Sequence, residues 1–187
     1  MTGREDAGVT HVGLLRGVNV GGRKPVAMAD LRALLADLGF ADGRTLLQSG
    51  NVVFRGGARR GQSLERYLEA EAAARLRLRS DFFVRTAAEW RTIVSGNPFP
   101  ETAMHDPGHL LLVCLKAAVS AATIAATQAA IAGPERIGGE GREVYVVYPD
   151  GVGTSRLTHA VLERRLGTRG TGRSWNTVRK LDALANG

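Results

Sequence analysis

The chain carries one order of elements twice, and that order limits the folds open to it. A short apolar run is followed by a helical-period segment, two more runs joined by a tight turn, a second helical segment and a final run. In the first copy, Val9 to Arg16 predicts a strand, and Met28, Leu31, Leu34, Leu35 and Leu38 recur at helical spacing until Gly39 closes the helix. "RTLLQ" and "NVVFR" flank Ser49-Gly50 and predict a hairpin. Ser63 stands where it would cap a helix carrying Leu64, Tyr67, Leu68, Ala72 and Leu76, and "DFFVR" predicts the fourth strand. Thr86 and Glu89 have the spacing of a capping box for a short helix with Trp90, Ile93 and Val94.

After the Pro- and Gly-rich "SGNPFPETAMHDPGH" the order recurs. "HLLLVCLK" predicts a strand, "SAATIAATQAAIAG" a helix ended by Gly133, and "ERIGG" with "REVYVVYP" a second hairpin. Ser155 to Leu166 reads as a helix with Gly167 just past its end, "TRGTGR" as a short last strand, and Ser174 to Ala185 as a closing helix. The expected fold is α+β: two tandem ferredoxin-like (βαββαβ) halves, each followed by an extra helix. The expected boundaries are a flexible N-terminus at 1–8, a first half at 9–98, a linker at 99–108 and a second half at 109–187. "LLLVCL" and "VYVVY" are apolar on both faces, which predicts that their second face is covered, by the other half or by a second subunit.

In such a topology the first and second strands run the same way, so "RGVNVGG" and "QSGN" fall together at one edge of the first sheet. By the same logic "DGVGTSRLT" and "RSWNT" follow the last two strands of the second half, at the opposite edge, and lead into helix N-termini. Each pairing gathers arginine and amides beside backbone N–H groups, which favours an anion. The glycine loop is neither of the familiar phosphate motifs. Gly17 and Gly22 have P-loop spacing, but Arg23 and Lys24 occupy the places of the lysine and the magnesium-binding hydroxyl, and Asn19 replaces the second glycine of a dinucleotide fingerprint. A sharp turn that only glycine tolerates remains the alternative.

Charge and composition narrow the function classes. The formal net charge of +7 favours anionic partners, but the cations are dispersed and few aromatics lie between them, so nucleic acid is possible without being favoured. Cys114 is the single cysteine and sits in an apolar run, where a buried thiol is expected; a disulfide framework and a zinc cluster are excluded. His11, His105, His109 and His159 show no metal-ligand spacing, and no metal or cofactor is implied. No apolar run reaches membrane-spanning length, and "MTGREDAGVTH" lacks a signal-peptide core, so a cytoplasmic protein is expected. Ser155 and His159 stand four apart, the spacing of a hydroxyl and its base on one helical face, though no local acid orients the histidine. Trp175, between Arg173 and Asn176, reads either as a core anchor or as a stacking platform for a ligand.

"LLRGVNVGGRKPVAMADLRALLADLGF…LQSGNVVF", the central "NPFP" and "GVGTSRLTHAVLERRLG…RSWNTVRKL" closely resemble the bacterial domain of unknown function 1697 family, over nearly the whole chain from about Val9. The resemblance implies a two-part ferredoxin-like α+β fold and supplies no activity. It carries over Arg16, Gly17, Asn19, Gly21 and Gly22; Gln48, Ser49, Gly50 and Asn51; Ser155, Leu157 and Thr158; and Arg173, Trp175, Asn176 and Thr177. His159 stands where relatives more usually have asparagine. The candidate ligand-binding set is therefore Arg16, Asn19, Gly21, Gly22, Gln48, Ser49, Asn51, Ser155, Arg156, Thr158, Arg173, Trp175 and Asn176. The competing role for its polar members is to lock the loops by hydrogen bonds to backbone. The first function reading is a binding module for a small anionic ligand, phosphorylated or nucleotide-like. The alternatives are an enzyme of unknown reaction using these Arg, Asn, Gln and Ser residues, and a nucleic-acid-binding protein.

Overall fold

A computed structural model describes residues 8–18 and 26–187; the N-terminal segment 1–7 and the candidate residues Asn19, Gly21 and Gly22 lie outside the described residues. The protein is α+β, with two antiparallel sheets and seven helices among the described residues. It divides into two compact units, Met1–Arg91 with Leu181–Gly187, and Thr92–Lys180.

The first unit follows the expected order of elements: β1 (Thr10–Leu15), α1 (Met28–Asp37), β2 (Ala41–Leu46), β3 (Asn51–Arg55), α2 (Gly61–Leu76) and β4 (Phe82–Thr86); α3 (Ala87–Ser95) begins directly after β4 and runs on into the residues counted with the second unit. Its strands pair in the order β2-β3-β1-β4, all antiparallel. Met28, Leu31, Leu34 and Leu35 of α1, and Leu64, Leu68 and Ala72 of α2, bury against Leu15, Val52, Phe54, Phe82 and Val84. Alternate residues Val12, Leu14, Val53 and Phe83 are buried too, so both faces of this sheet are dry. Thr86 and Glu89 form the expected capping box: the Thr86 N–H donates to Glu89 Oε2 at 2.7 Å, and the Glu89 N–H donates to Thr86 Oγ1 at 3.1 Å. The cap expected at Ser63 is not used, because α2 begins two residues earlier, behind an extended Arg60.

Strand β4 is an edge strand whose outward N–H groups need partners. Two carboxylates of α2 supply them: Phe82 N–H donates to Glu69 Oε1 and Val84 N–H to Glu65 Oε1, each at 2.9 Å. Glu65 also faces the Arg85 guanidinium at 3.4 Å, and both side chains are buried.

In the second unit come α4 (Pro100–His105), β5 (Leu110–Val119), α5 (Ala121–Ala129), β6 (Arg136–Val147), α6 (His159–Leu166), β7 (Gly170–Ser174) and α7 (Trp175–Asn186), the last running on into the residues counted with the first unit. Residues 99–108, read as a linker, contain α4, with Pro100 in its first turn, where its fixed φ suits a helix start. The sheet has three strands, β6-β5-β7, not the four expected. The expected hairpin of "ERIGG" and "REVYVVYP" forms the single long strand β6. The chain nevertheless folds back inside it: Gly139 has φ 105°, and a Cβ added there would lie 2.6 Å from the Glu143 carbonyl oxygen. Both faces of β5 are buried, Val113 and Leu115 on one and Leu110, Leu112 and Cys114 on the other.

Candidate functional site

The second unit contains a cleft of about 450 Å³, walled by the segment after α5 (130–135), the segment after β6 (150–157), and Val161 and Arg165 of α6. Strand directions fix where one of these walls, the segment after β6, leaves the sheet. β5 lies between β6 and β7 and is antiparallel to both, with Leu110 opposite Val147 and Leu111 opposite Ser174. The segments that follow β6 and β7 therefore emerge at the same end of the sheet.

Its floor is polar and fixed. Glu135 is only 7% exposed, and its carboxylate accepts a hydrogen bond from Ser155 Oγ. Gln128 of α5 clamps the flanking backbone at both ends of its amide: Nε2 donates to the Glu135 carbonyl at 3.2 Å and Oε1 accepts from Ile137 N–H at 2.7 Å. Ser155 Oγ also accepts the Leu157 N–H at 2.9 Å, a local turn that holds the hydroxyl toward Glu135. Tyr148, buried at the end of β6, donates to the Leu157 carbonyl at 3.2 Å and so ties this loop to the strand. Burial, and then the negative charge of Glu135, push the Tyr148 hydroxyl up to about 12, so it stays a donor at any ordinary pH.

The mouth is charged and the wall apolar. Arg156 and Arg165 are exposed at the rim, with Asp150 and Thr154 beside them, while Ile131, Pro134, Leu157 and Val161 contribute apolar surface. Arg165 Nη2 donates to the Ala130 carbonyl at 3.2 Å, which fixes the head group and leaves it other donors. Arg156 meets no carboxylate among the described residues. Thr154 Oγ1 donates to the Asp150 carbonyl at 2.6 Å and closes the turn.

Of the candidate residues, Ser155 and Arg156 line this cleft, and Leu157 forms part of its wall. Thr158 caps α6, accepting from Val161 N–H at 3.3 Å. The expected helix over Ser155 to Leu166 thus starts four residues late, at His159, and Ser155 and His159 do not share a helical face. The Ser155–His159 pair is absent: Ser155 Oγ donates to Glu135, and His159 Nε2 lies 2.9 Å from the Gly170 carbonyl oxygen.

Arg173, Trp175 and Asn176 do not line the cleft. Arg173 is partly buried in β7, where its Nη1 donates to the Gly172 carbonyl at 2.8 Å and to Thr171 Oγ1 at 2.9 Å. Burial pushes its guanidinium down to about 10, which leaves it charged at neutral pH. Trp175 is buried at the start of α7 with its ring centroid 6.2 Å from that of Tyr145, and it also borders a separate hollow beside Met104 and Arg179; Asn176 is exposed.

In the first unit, the end of β1 and the turn between β2 and β3 lie side by side: Leu15 N–H donates to the Gly50 carbonyl at 2.8 Å. Asn51 stands opposite Leu14, is fully buried, and donates through Nδ2 to the Leu46 carbonyl and to Ser49 Oγ, each at 2.9 Å. These bonds close the turn. Gly50 has φ 73°, and a Cβ there would lie 2.4 Å from Val18 Cγ2. Arg16 is partly exposed, its N–H donating to the Asp81 carbonyl at 3.0 Å and its carbonyl accepting from Ser80 Oγ at 2.9 Å; Gln48 is exposed.

Glu135, Arg165, Thr154 and Asp150 are cleft residues that the sequence did not single out. A glutamate after Gly-Pro and just before a strand has nothing local to distinguish it from a solvated one; only the tertiary fold buries it.

The profile of the family described as "Protein of unknown function (DUF1697)" matches residues 9–145. The chain belongs to the DUF1697 family. The match runs from β1 almost to the end of β6, so the second set of motifs, from Ser155 onward, lies beyond it. A comparison with curated proteins finds no match for this DUF1697 protein. Among solved structures it is similar to the conserved bacterial protein SP0830 from Streptococcus pneumoniae. That likeness has a TM-score of 0.74 at 19% identity and covers 96% of this chain and 99% of that one, which is a likeness of fold.

Proposed function

We propose that this DUF1697 protein is a binding module for a small anionic ligand, phosphorylated or nucleotide-like, held in the cleft of its second unit. The observation that carries the reading is the pair Arg156 and Arg165 at the rim of a cleft of about 450 Å³ with an apolar wall. A few polar anchors over an apolar wall are what small-molecule sites usually present. A nucleic-acid protein would need a long basic groove with stacking aromatics. The cleft has no aromatic in its wall and two arginines at its mouth. Nucleic acid is therefore expected to bind weakly and non-specifically, at roughly 10⁻⁴–10⁻⁶ M at physiological salt. The lone, buried Cys114 supports a cytoplasmic setting.

We also read both units as ferredoxin-like halves. The order β2-β3-β1-β4 supports this in the first, and β6-β5-β7 matches its last three positions, with the folded-back arm of β6 near Gly139 standing for the missing strand. The edge strands are treated alike: Glu163 of α6 accepts from Gly170 N–H of β7 at 2.8 Å, as Glu65 and Glu69 do for β4.

The test is calorimetric titration of ribose 5-phosphate into wild type, Arg156→Ala, Arg165→Ala and a surface control, Arg32→Ala. Each charge-assisted hydrogen bond to a bound anion is worth enough that either cleft variant should lose about tenfold or more in affinity, with the control unchanged. Equal affinities across all four proteins would remove the cleft from consideration.

A further inference from the structure

Resting on the cleft as the ligand site, a second feature constrains what the ligand must be. A buried carboxylate on the floor of an anion site is a contradiction unless the ligand also brings a donor. Glu135 is 7% exposed, Gln128 holds the backbone on either side of it, and Ser155 Oγ holds the carboxylate itself. Ser155 Oγ supplies one donor, whereas an ionised carboxylate has about four acceptor positions. A ligand anionic from end to end would gain at Arg156 and Arg165 and lose at Glu135. The exposed carboxylate of Asp150 near the mouth adds to that penalty.

We propose that the cleft selects a bipolar ligand: a nucleotide-sized phosphomonoester whose body carries an amino group. The phosphate meets Arg156 and Arg165 at the rim, the body lies along Ile131, Leu157 and Val161, and the amino N–H donates to Glu135. The amino-substituted bases of nucleoside monophosphates have this chemistry, and a carboxylate accepting from the cytosine amine is a recurring protein–base pairing. A base that presents a carbonyl oxygen in the same place sets acceptor against acceptor and is rejected. Sites that hydrogen-bond a substrate group discriminate strongly against analogues lacking it, because the buried partner is then stranded.

Matched probes test this in calorimetric titrations. Cytidine 5′-monophosphate is compared with uridine 5′-monophosphate, and adenosine 5′-monophosphate with purine riboside 5′-monophosphate, with ribose 5-phosphate reporting the anion site alone. The amino member of each pair should bind about tenfold or more tightly. In Glu135→Gln, whose amide can offer a donor as well as an acceptor, that preference should shrink to within about threefold while ribose 5-phosphate binds at least as well as before. If ribose 5-phosphate binds wild type but both pairs bind equally, the role given to Glu135 is wrong and the anion site stands. If no probe binds saturably, both fall together. The wild-type pairs decide the question even if Glu135→Gln does not fold.

Discussion

Acidification should destabilise this protein through one histidine. His11 lies in β1 opposite Phe54, with the two rings stacked at 5.3 Å and 28°, and it is fully buried. Neither ring nitrogen finds a hydrogen-bond partner by geometry among the described residues. Burial, followed by the positive charge of Arg60, lowers its pKa from 6.5 to about 4, with the backbone at Gly56 and the Glu89 carboxylate acting the other way. The folded-state value lies below the unfolded one, so the unfolded chain takes up the proton first as pH falls. The stability linked to keeping His11 neutral is fully present above about pH 6.5 and is lost progressively down to about pH 4. At 1.36 kcal/mol per pH unit, the full loss is about 3 kcal/mol. Urea unfolding followed by circular dichroism from pH 7.5 to 4, on wild type and His11→Leu, isolates this contribution because the other groups are common to both. Wild type should lose about 3 kcal/mol more than the variant across that range. Parallel stability curves would refute the assignment, as would an imidazole resonance titrating near 6.5 in the folded protein.

Two further substitutions test the frame of the first unit. Gly50→Ala forces a side chain into the left-handed region at φ 73° and against Val18 and Leu15, and should cost about 2–4 kcal/mol in urea unfolding; an unchanged midpoint would contradict the tight turn. Glu65→Ala removes the carboxylate facing buried Arg85 and the acceptor for Val84 N–H, and should cost about 3–5 kcal/mol by the same assay, whereas Glu65→Gln keeps an acceptor and should cost less.

Local chemistry was readable from the sequence wherever a short-range interaction decides the structure. The Thr86–Glu89 box spans three residues and makes the bonds its spacing predicts. The α1 stripe from Met28 to Leu35 packs where its period points. Misreadings arose where two local solutions compete and tertiary contacts choose. Ser155 and Thr158 are both capping residues; Ser155 is held by Glu135 and the Leu157 N–H, so Thr158 takes the cap and the helix starts later. The Pro- and Gly-rich stretch suggests a linker at 99–108, yet Pro100 sits in the first turn of α4. The candidate arginines divide by register and not by motif. Arg173 faces its own strand, while Arg165, unmarked by any pattern, reaches the cleft from the last turn of α6.

The most direct measurement of the cleft's role is an amide chemical-shift titration of the labelled protein with cytidine 5′-monophosphate. Saturable shifts concentrated in residues 130–135, 150–157 and 161–165, lost in the Arg156→Ala, Arg165→Ala double variant, are the predicted result. Shifts centred instead on residues 16–18 and 46–51, or no saturable shift, would contradict it.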